Sequence, residues 1–283
     1  MNKTGKAMRR FLLAAGLILA GTSVCPGVLI VSDSFNYSPG SNLGGQGGWF
    51  NANSGDQVTV ATGNLGVSGL TTSSGNRVSF GGSGLDPYLP FTPTSSSVFY
   101  SFAFQIADLG SLNTTGGYIA GLDSSAFAST LWVRKNGSGF DIGIGRTSAA
   151  ASVSWSLGYA LNDIVFVVGS YQVNAGAVND LSSLWINPSA SSFGAGVAPA
   201  ATLTATTSGS DLANVSRFFL RQDSATLTPN TLYLDELRVG TSWADVTPIS
   251  SAVPEPSTYL AGLLLALPFG VHGVRYLRNQ KRA

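Results

Sequence analysis

Between residues 28 and 250 apolar and polar positions alternate with a period of two, in short runs separated by Gly, Asn, Ser and Pro. In residues 98–106 Val98, Tyr100, Phe102, Phe104 and Ile106 share one face, while Phe99, Ser101, Ala103 and Gln105 take the other. This predicts a half-buried strand of a two-layer sheet. Residues 163–173 are apolar on both faces and predict a central strand. Residues 130–145 place two alternating arms around Asn136 and Gly137, a hairpin signal because these residues tolerate positive φ. Residues 216–223 and 231–240 supply two more strands near the end. Helical periodicity is nearly absent, so the pattern predicts one all-β domain over residues 28–250, an antiparallel β-sandwich or jelly roll. Residues 189–210 fit either a long loop or an edge strand.

The pattern changes at both ends. Lys3, Lys6, Arg9 and Arg10 precede an apolar run over residues 11–20 and a small-residue zone with a cleavage point between Gly21 and Gly27. Residues 1–27 therefore read as a signal peptide helix handed to the Sec translocon, or else as an uncut N-terminal anchor. Residues 259–274 form a sixteen-residue run with no charge other than any proton on His272. As a helix it would rise about 24 Å, enough to cross a bilayer with some local thinning. A run of this length also fits a buried core helix. The flank decides, because Arg275, Arg278, Lys281 and Arg282 follow directly, as expected where a single transmembrane helix stops with its positive end in the cytoplasm. Ahead of the run stand Val253, Pro254, Glu255, Pro256 and Ser257. Each proline fixes its own φ and biases the residue before it to extended geometry, which makes this a stiff spacer open to a processing enzyme.

Taken in order, the Val-Pro-Glu-Pro motif, the apolar run and the arginine-rich end of residues 251–283 resemble the PEP-CTERM sorting signal of exported bacterial proteins. That resemblance implies an exosortase, a membrane processing enzyme acting near Val253 to Ser257, as partner. It also implies export through the inner membrane, a C-terminal membrane anchor with a cytoplasmic tail, and a final place in the envelope or outside the cell. Pro268 departs from a plain helix and predicts a kink within the run.

With 44% hydrophobic residues the chain has enough material for a core. Its overall charge of +1 hides a segregation: residues 28–250 hold seven basic residues against twelve Asp and Glu236, a net of −6. A body of that sign excludes nucleic acid as a partner, which requires clustered Lys and Arg. Cys25 is the only cysteine and His272 the only histidine. The body therefore has no internal disulfide, no Ser-His-Asp or Cys-His catalytic set and no His- or Cys-based zinc site.

Residues 33–49, 179–188 and 232–248 resemble segments of concanavalin A-like, laminin-G-like sandwich domains. The resemblance implies that the two ends of the body pair as neighbouring strands. It also implies calcium held by loop oxygens, with Asp33, Asp123, Asp180 and Asp235 as candidate ligands. The plainer alternative is that these aspartates cap turns and keep the surface soluble. Glycoside hydrolases of that fold place two acidic residues around one bond. Here Glu236 is the only glutamate of the body, and alternation predicts that Asp235 points away from it, so a hydrolase would need aspartates from separate strands. Among Trp49, Trp132, Trp155, Trp185 and Trp243, most are expected in the core, with Trp49 in its glycine-rich setting the expected glycan contact. The Asn-x-Ser/Thr triplets at Asn113, Asn136 and Asn214 arise by chance in a Ser/Thr-rich chain. The sequence thus predicts a non-enzymatic sandwich that binds extracellular polysaccharide or adheres to it, with an envelope glycoside hydrolase and a purely structural matrix protein as alternatives.

Overall fold

The computed structural model describes residues 27–206 and 210–250. Along the chain the first strands are β1 (Leu29–Asp33), β2 (Phe50–Asn51), β3 (Thr59–Ala61), β4 (Arg77–Phe80), β5 (Pro87–Thr94), β6 (Val98–Asp108), β7 (Gly117–Asp123) and β8 (Phe127–Asn136). They are followed by β9 (Gly139–Gly145), β10 (Ser154–Tyr159), β11 (Val165–Gln172), β12 (Leu181–Ile186), β13 (Leu203–Ala205), β14 (Val215–Leu220) and β15 (Thr231–Gly240). A single helical turn, α1 (Trp243–Val246), ends the described body. Two antiparallel sheets result. The first runs β13-β12-β11-β6-β15-β4-β3, with β1 also on β15; the second runs β10-β9-β8-β7-β14-β5-β2. The body is a β-sandwich.

The period-two expectation is met in β6, whose Val98, Tyr100, Phe102, Phe104 and Ile106 are all fully buried in the space between the sheets. Against them the second sheet sends Phe218 and Leu220 of β14, Leu131 and Val133 of β8, and Phe140, Ile142 and Ile144 of β9. β11 lies between β6 and β12, as its two apolar faces predict. The 136–137 signal closes the hairpin of β8 and β9, with Asn136 paired to Gly139 and Gly137 at φ +59°. β1 pairs β15, so both ends of the body leave from neighbouring strands. Residues 189–206 combine the two readings left open, a short 3-10 turn (Ala190–Ser192) and the edge strand β13; residues 207–209 lie outside the described residues.

β6 departs from the half-buried expectation because the outer face of the first sheet is also covered. Phe166 and Val168 of β11 and Trp185 of β12 pack there against Leu70, Phe193, Trp243 and Val246, and Phe99 joins them. Ser101, on the same face, donates to the Val246 carbonyl at 2.6 Å. A capping box fixes α1 over this layer: Ser242 Oγ accepts from Asp245 N while the Asp245 carboxylate accepts from Ser242 N.

The expected membrane anchor is corrected here. Among the described residues no helix is long and apolar enough to cross a membrane. The segments that carried the signal helix, the sorting motif Val253 to Ser257, the run 259–274 and the basic cluster Arg275, Arg278, Lys281 and Arg282 lie outside the described residues.

Candidate functional site

The outer face of the second sheet is built by the same alternation that fills the core. On β14, Phe218 and Leu220 turn inward, leaving Arg217 and Phe219 outward. On β8, Leu131 and Val133 turn inward and leave Trp132 and Arg134 outward. Register aligns the outward residues across the strands: Phe50 of β2 stands opposite Tyr88 of β5, Tyr88 opposite Phe219, and Tyr118 of β7 opposite Trp132. Glycines take some of the outward positions beside the rings. Gly143 of β9 is paired with both Trp132 and Trp155, and a Cβ on it would come within 2.8 Å of the Trp155 ring. Gly121 faces Phe219, whose ring lies 3.1 Å from where its Cβ would be. The bare backbone lets large rings lie along the sheet.

The rings pack stacked or tilted against one another. Phe50 and Tyr88 stack at 5.8 Å, Phe127 lies 5.0 Å from Phe219 and 5.2 Å from Tyr118, and Tyr118 lies 5.3 Å from Trp132. Guanidinium groups sit over them: Arg217 over Tyr88 at 5.0 Å, Arg221 over Tyr118 at 4.6 Å and Arg134 over Trp155 at 4.2 Å. Each guanidinium has an acidic neighbour. Arg217 Nε donates to Asp123 Oδ1 at 2.6 Å and its Nη2 to the Ser124 carbonyl at 2.9 Å. Arg134 Nε donates to Asp141 at 2.9 Å, and Arg221 lies 3.7 Å from Asp86 and 3.3 Å from Asp223.

Towards the β5 side of this face a cleft of about 200 Å³ opens between Tyr88 and Phe127, lined also by Phe219, Ala52, Asp86, Asp123 and Arg217. Burial raises the pKa of both carboxyls from the ordinary aspartate value. For Asp86 this outweighs its hydrogen bond from Gln222 N and the Arg221 charge; for Asp123 it outweighs Arg217. The cleft is smaller than a typical drug-sized site and suits a single sugar ring. Aromatic faces can take the C–H face of such a ring, while carboxylates and a planar guanidinium meet its hydroxyls.

Of these groups the sequence reading named only Asp123, and for calcium. Arg217 and Phe219 lie on a strand that alternation predicts, whereas Tyr88 and Asp123 lie on β5 and β7, with Asp86 just before β5, and the pattern does not mark these two strands.

The calcium candidates do not converge. Asp33 accepts from Phe35 N, Tyr37 Oη and Trp49 Nε1; Asp180 from Tyr171 Oη and Asn174 N; Asp123 from Arg217; Asp235 from Leu65 N and Ser73 Oγ. Among the described residues no three His, Cys, Asp or Glu side chains gather in one group. Trp49 is also corrected: it is 1% exposed and packs on Phe35 and Phe218 inside the sandwich. Trp155, half-buried on the outer face, is the accessible tryptophan.

Asp235 and Glu236 correct a third expectation. A bulge in β15 between Asp235 and Arg238 gives Glu236 a φ of +56°. It therefore leaves the alternation, and both carboxylates serve the loop of residues 65–74. Asp235 takes Leu65 N at 2.8 Å and Ser73 Oγ at 3.1 Å; Glu236 takes Ser74 N at 2.8 Å and Arg238 Nη2 at 2.5 Å. A polar cavity of about 380 Å³ opens beside them, with Asp33, Asn36 and Thr72 on its walls.

No family model matches the sequence, and no curated protein matches it. Solved structures align over much of the body. A glycosyl hydrolase family protein from Mycobacterium fortuitum matches with a TM-score of 0.41 and 8% identity, over 75% of this chain and 99% of that one. A beta-1,3-glucanase from Mycobacterium marinum gives 0.40 and 9%, over 75% and 98%. A mutant alginate lyase in complex with alginate tetrasaccharide gives 0.42 and 12%, over 75% and 96%. With enzymes acting on polysaccharides among these structures, the expectation of a non-enzymatic body is withdrawn; scores at this level assign no activity in its place.

Proposed function

We propose that the body is a carbohydrate-binding sandwich of concanavalin A-like type, and that the cleft between Tyr88 and Phe127 receives a sugar ring of an extracellular polysaccharide. The observation that carries this reading is the meeting of three aromatic rings, two aspartates and one arginine in a sugar-sized cleft on the outer face of the second sheet. Titration against a panel of oligosaccharides is expected to find a ligand. The double variant Tyr88→Ala/Phe127→Ala is expected to weaken it about tenfold or more with the fold intact by circular dichroism. Unchanged affinity in that variant contradicts the reading.

A second reading, cleavage of the bound glycan, is favoured by one feature. Asp86 and Asp123 reach the same cleft from the start of β5 and the end of β7, and burial raises the pKa of both. Two carboxyl groups flanking one bond are what glycoside cleavage requires, one as general acid and the other as base or nucleophile. The same panel decides the matter: new chain ends, lost in Asp86→Asn, support cleavage, and intact glycan in the presence of binding supports recognition alone.

For the chain end we propose a sorting role, with Val253, Pro254, Glu255, Pro256 and Ser257 as the segment an exosortase-like enzyme reads. Support comes from the order of motif, apolar run and basic cluster over residues 251–283. Mass spectrometry of the protein from its native host is expected to find a C-terminus within residues 253–257. A chain ending at Ala283 rules this role out.

A further inference from the structure

We infer that the glycan taken by this face is uncharged, and that chains rich in uronate are excluded. The inference rests on the carbohydrate-binding reading above and narrows it to a ligand class.

The charges of the face carry it. Its outward arginines, Arg134, Arg217 and Arg221, stand against Asp141, Asp123, Asp86 and Asp223, a local excess of one negative charge. In the cleft itself Arg217 is the only cation among the lining residues, beside two carboxyls. Its fork is engaged as well: Nε on Asp123 at 2.6 Å, Nη2 on the Ser124 carbonyl at 2.9 Å, and the plane of the group over Tyr88. A ligand carboxylate would have to displace Asp123 from Arg217 while lying beside Asp86 and Asp123, and like charges placed together in a partly buried site are strongly unfavourable. Ligand hydroxyls meet no such conflict, because they donate to the aspartates and accept from the arginine. The net −6 of residues 28–250 acts in the same direction at longer range.

The test is titration of the full chain with neutral glucan, mannan and galactan hexasaccharides and with alginate and polygalacturonate hexamers, at 20 mM and 500 mM NaCl. A neutral hexamer is expected to bind with an affinity that changes less than about twofold between the two salt levels, because no net charge is neutralised. Uronate hexamers are expected to bind at least about tenfold more weakly at low salt. Asp223→Asn, a residue outside the cleft lining, removes the local excess of negative charge. It is expected to raise uronate affinity several-fold and leave neutral affinity unchanged. Uronate binding as tight as the neutral chain's, weakening as salt rises, overturns the inference and leaves carbohydrate binding standing. Binding of no hexamer at all sinks both.

Discussion

Replacing Trp49 by alanine is expected to destabilise the body by about 3–5 kcal/mol, the range found for removing a large buried aromatic. The side chain is wedged between Phe35 and Phe218, with ring centroids 6.2 Å and 6.4 Å away, and collapse around it is hindered by the sheet behind Phe218. Its Nε1 also donates to Asp33 Oδ2 at 2.8 Å, an oxygen shared with Tyr37 Oη. Trp49→Phe keeps most of the ring volume and loses that donor, so its cost is expected to be about 1–3 kcal/mol. Chemical denaturation of the three proteins measures both steps. The folded fraction of Trp49→Ala is expected to bind glycan within about twofold of the wild type. A variant of full stability that has lost glycan binding would restore the sequence reading of Trp49 as a contact.

The second large effect is a dependence of stability on pH carried by Asp235. Burial, helped by repulsion from Glu236, pushes its pKa up to about 7 in the folded protein, against the pull of its hydrogen bonds from Leu65 N, Glu236 N and Ser73 Oγ. In the unfolded chain the value returns to 3.8. Between those two values the folded state binds the proton and the unfolded state does not, so the contribution of Asp235 to stability falls as pH rises through this window and is flat above it. The size of the effect between pH 4 and pH 8 is on the order of 2–4 kcal/mol. Asp235→Asn removes the titration, and its stability is expected to vary less over that range than the wild type's. Denaturation midpoints at pH 4.5, 6 and 8 measure this. A wild-type midpoint that does not fall from pH 4.5 to pH 8 relative to Asp235→Asn contradicts the assignment. The loop of residues 65–74 is where the change should be felt, because Asp235 and Glu236 together hold both of its ends.

Local pattern made the inner half of the sandwich legible. Alternation in β6 named its five core residues, two apolar faces placed β11 in the middle of its sheet, and Asn136-Gly137 marked a hairpin. The outer layer on the first sheet was not legible, because it is made of single apolar residues in polar loops, Leu70 and Phe193, together with the one-turn helix that carries Trp243 and Val246. No periodicity announces such residues; only the folded path of the loops brings them together. Trp49 was misread for a related reason. Its neighbouring glycines suggested an open turn, whereas they let the chain wrap closely enough to drive the indole inward. Glu236 escaped the alternation rule through a bulge, which leaves no mark in a strand sequence of this kind. The candidate site lay beyond local reading altogether. Asp86 and Asp123 share a cleft because β14 inserts between β5 and β7, an order set by the topology of the whole sheet.

A crystal structure of the protein with a bound neutral hexasaccharide tests the central claim most directly. The account predicts a sugar ring seated between Tyr88 and Phe127 over Phe219, with its hydroxyls on Asp86, Asp123 and Arg217. A glycan bound instead in the polar cavity beside Glu236 and Arg238, with the aromatic cleft left to solvent, contradicts it.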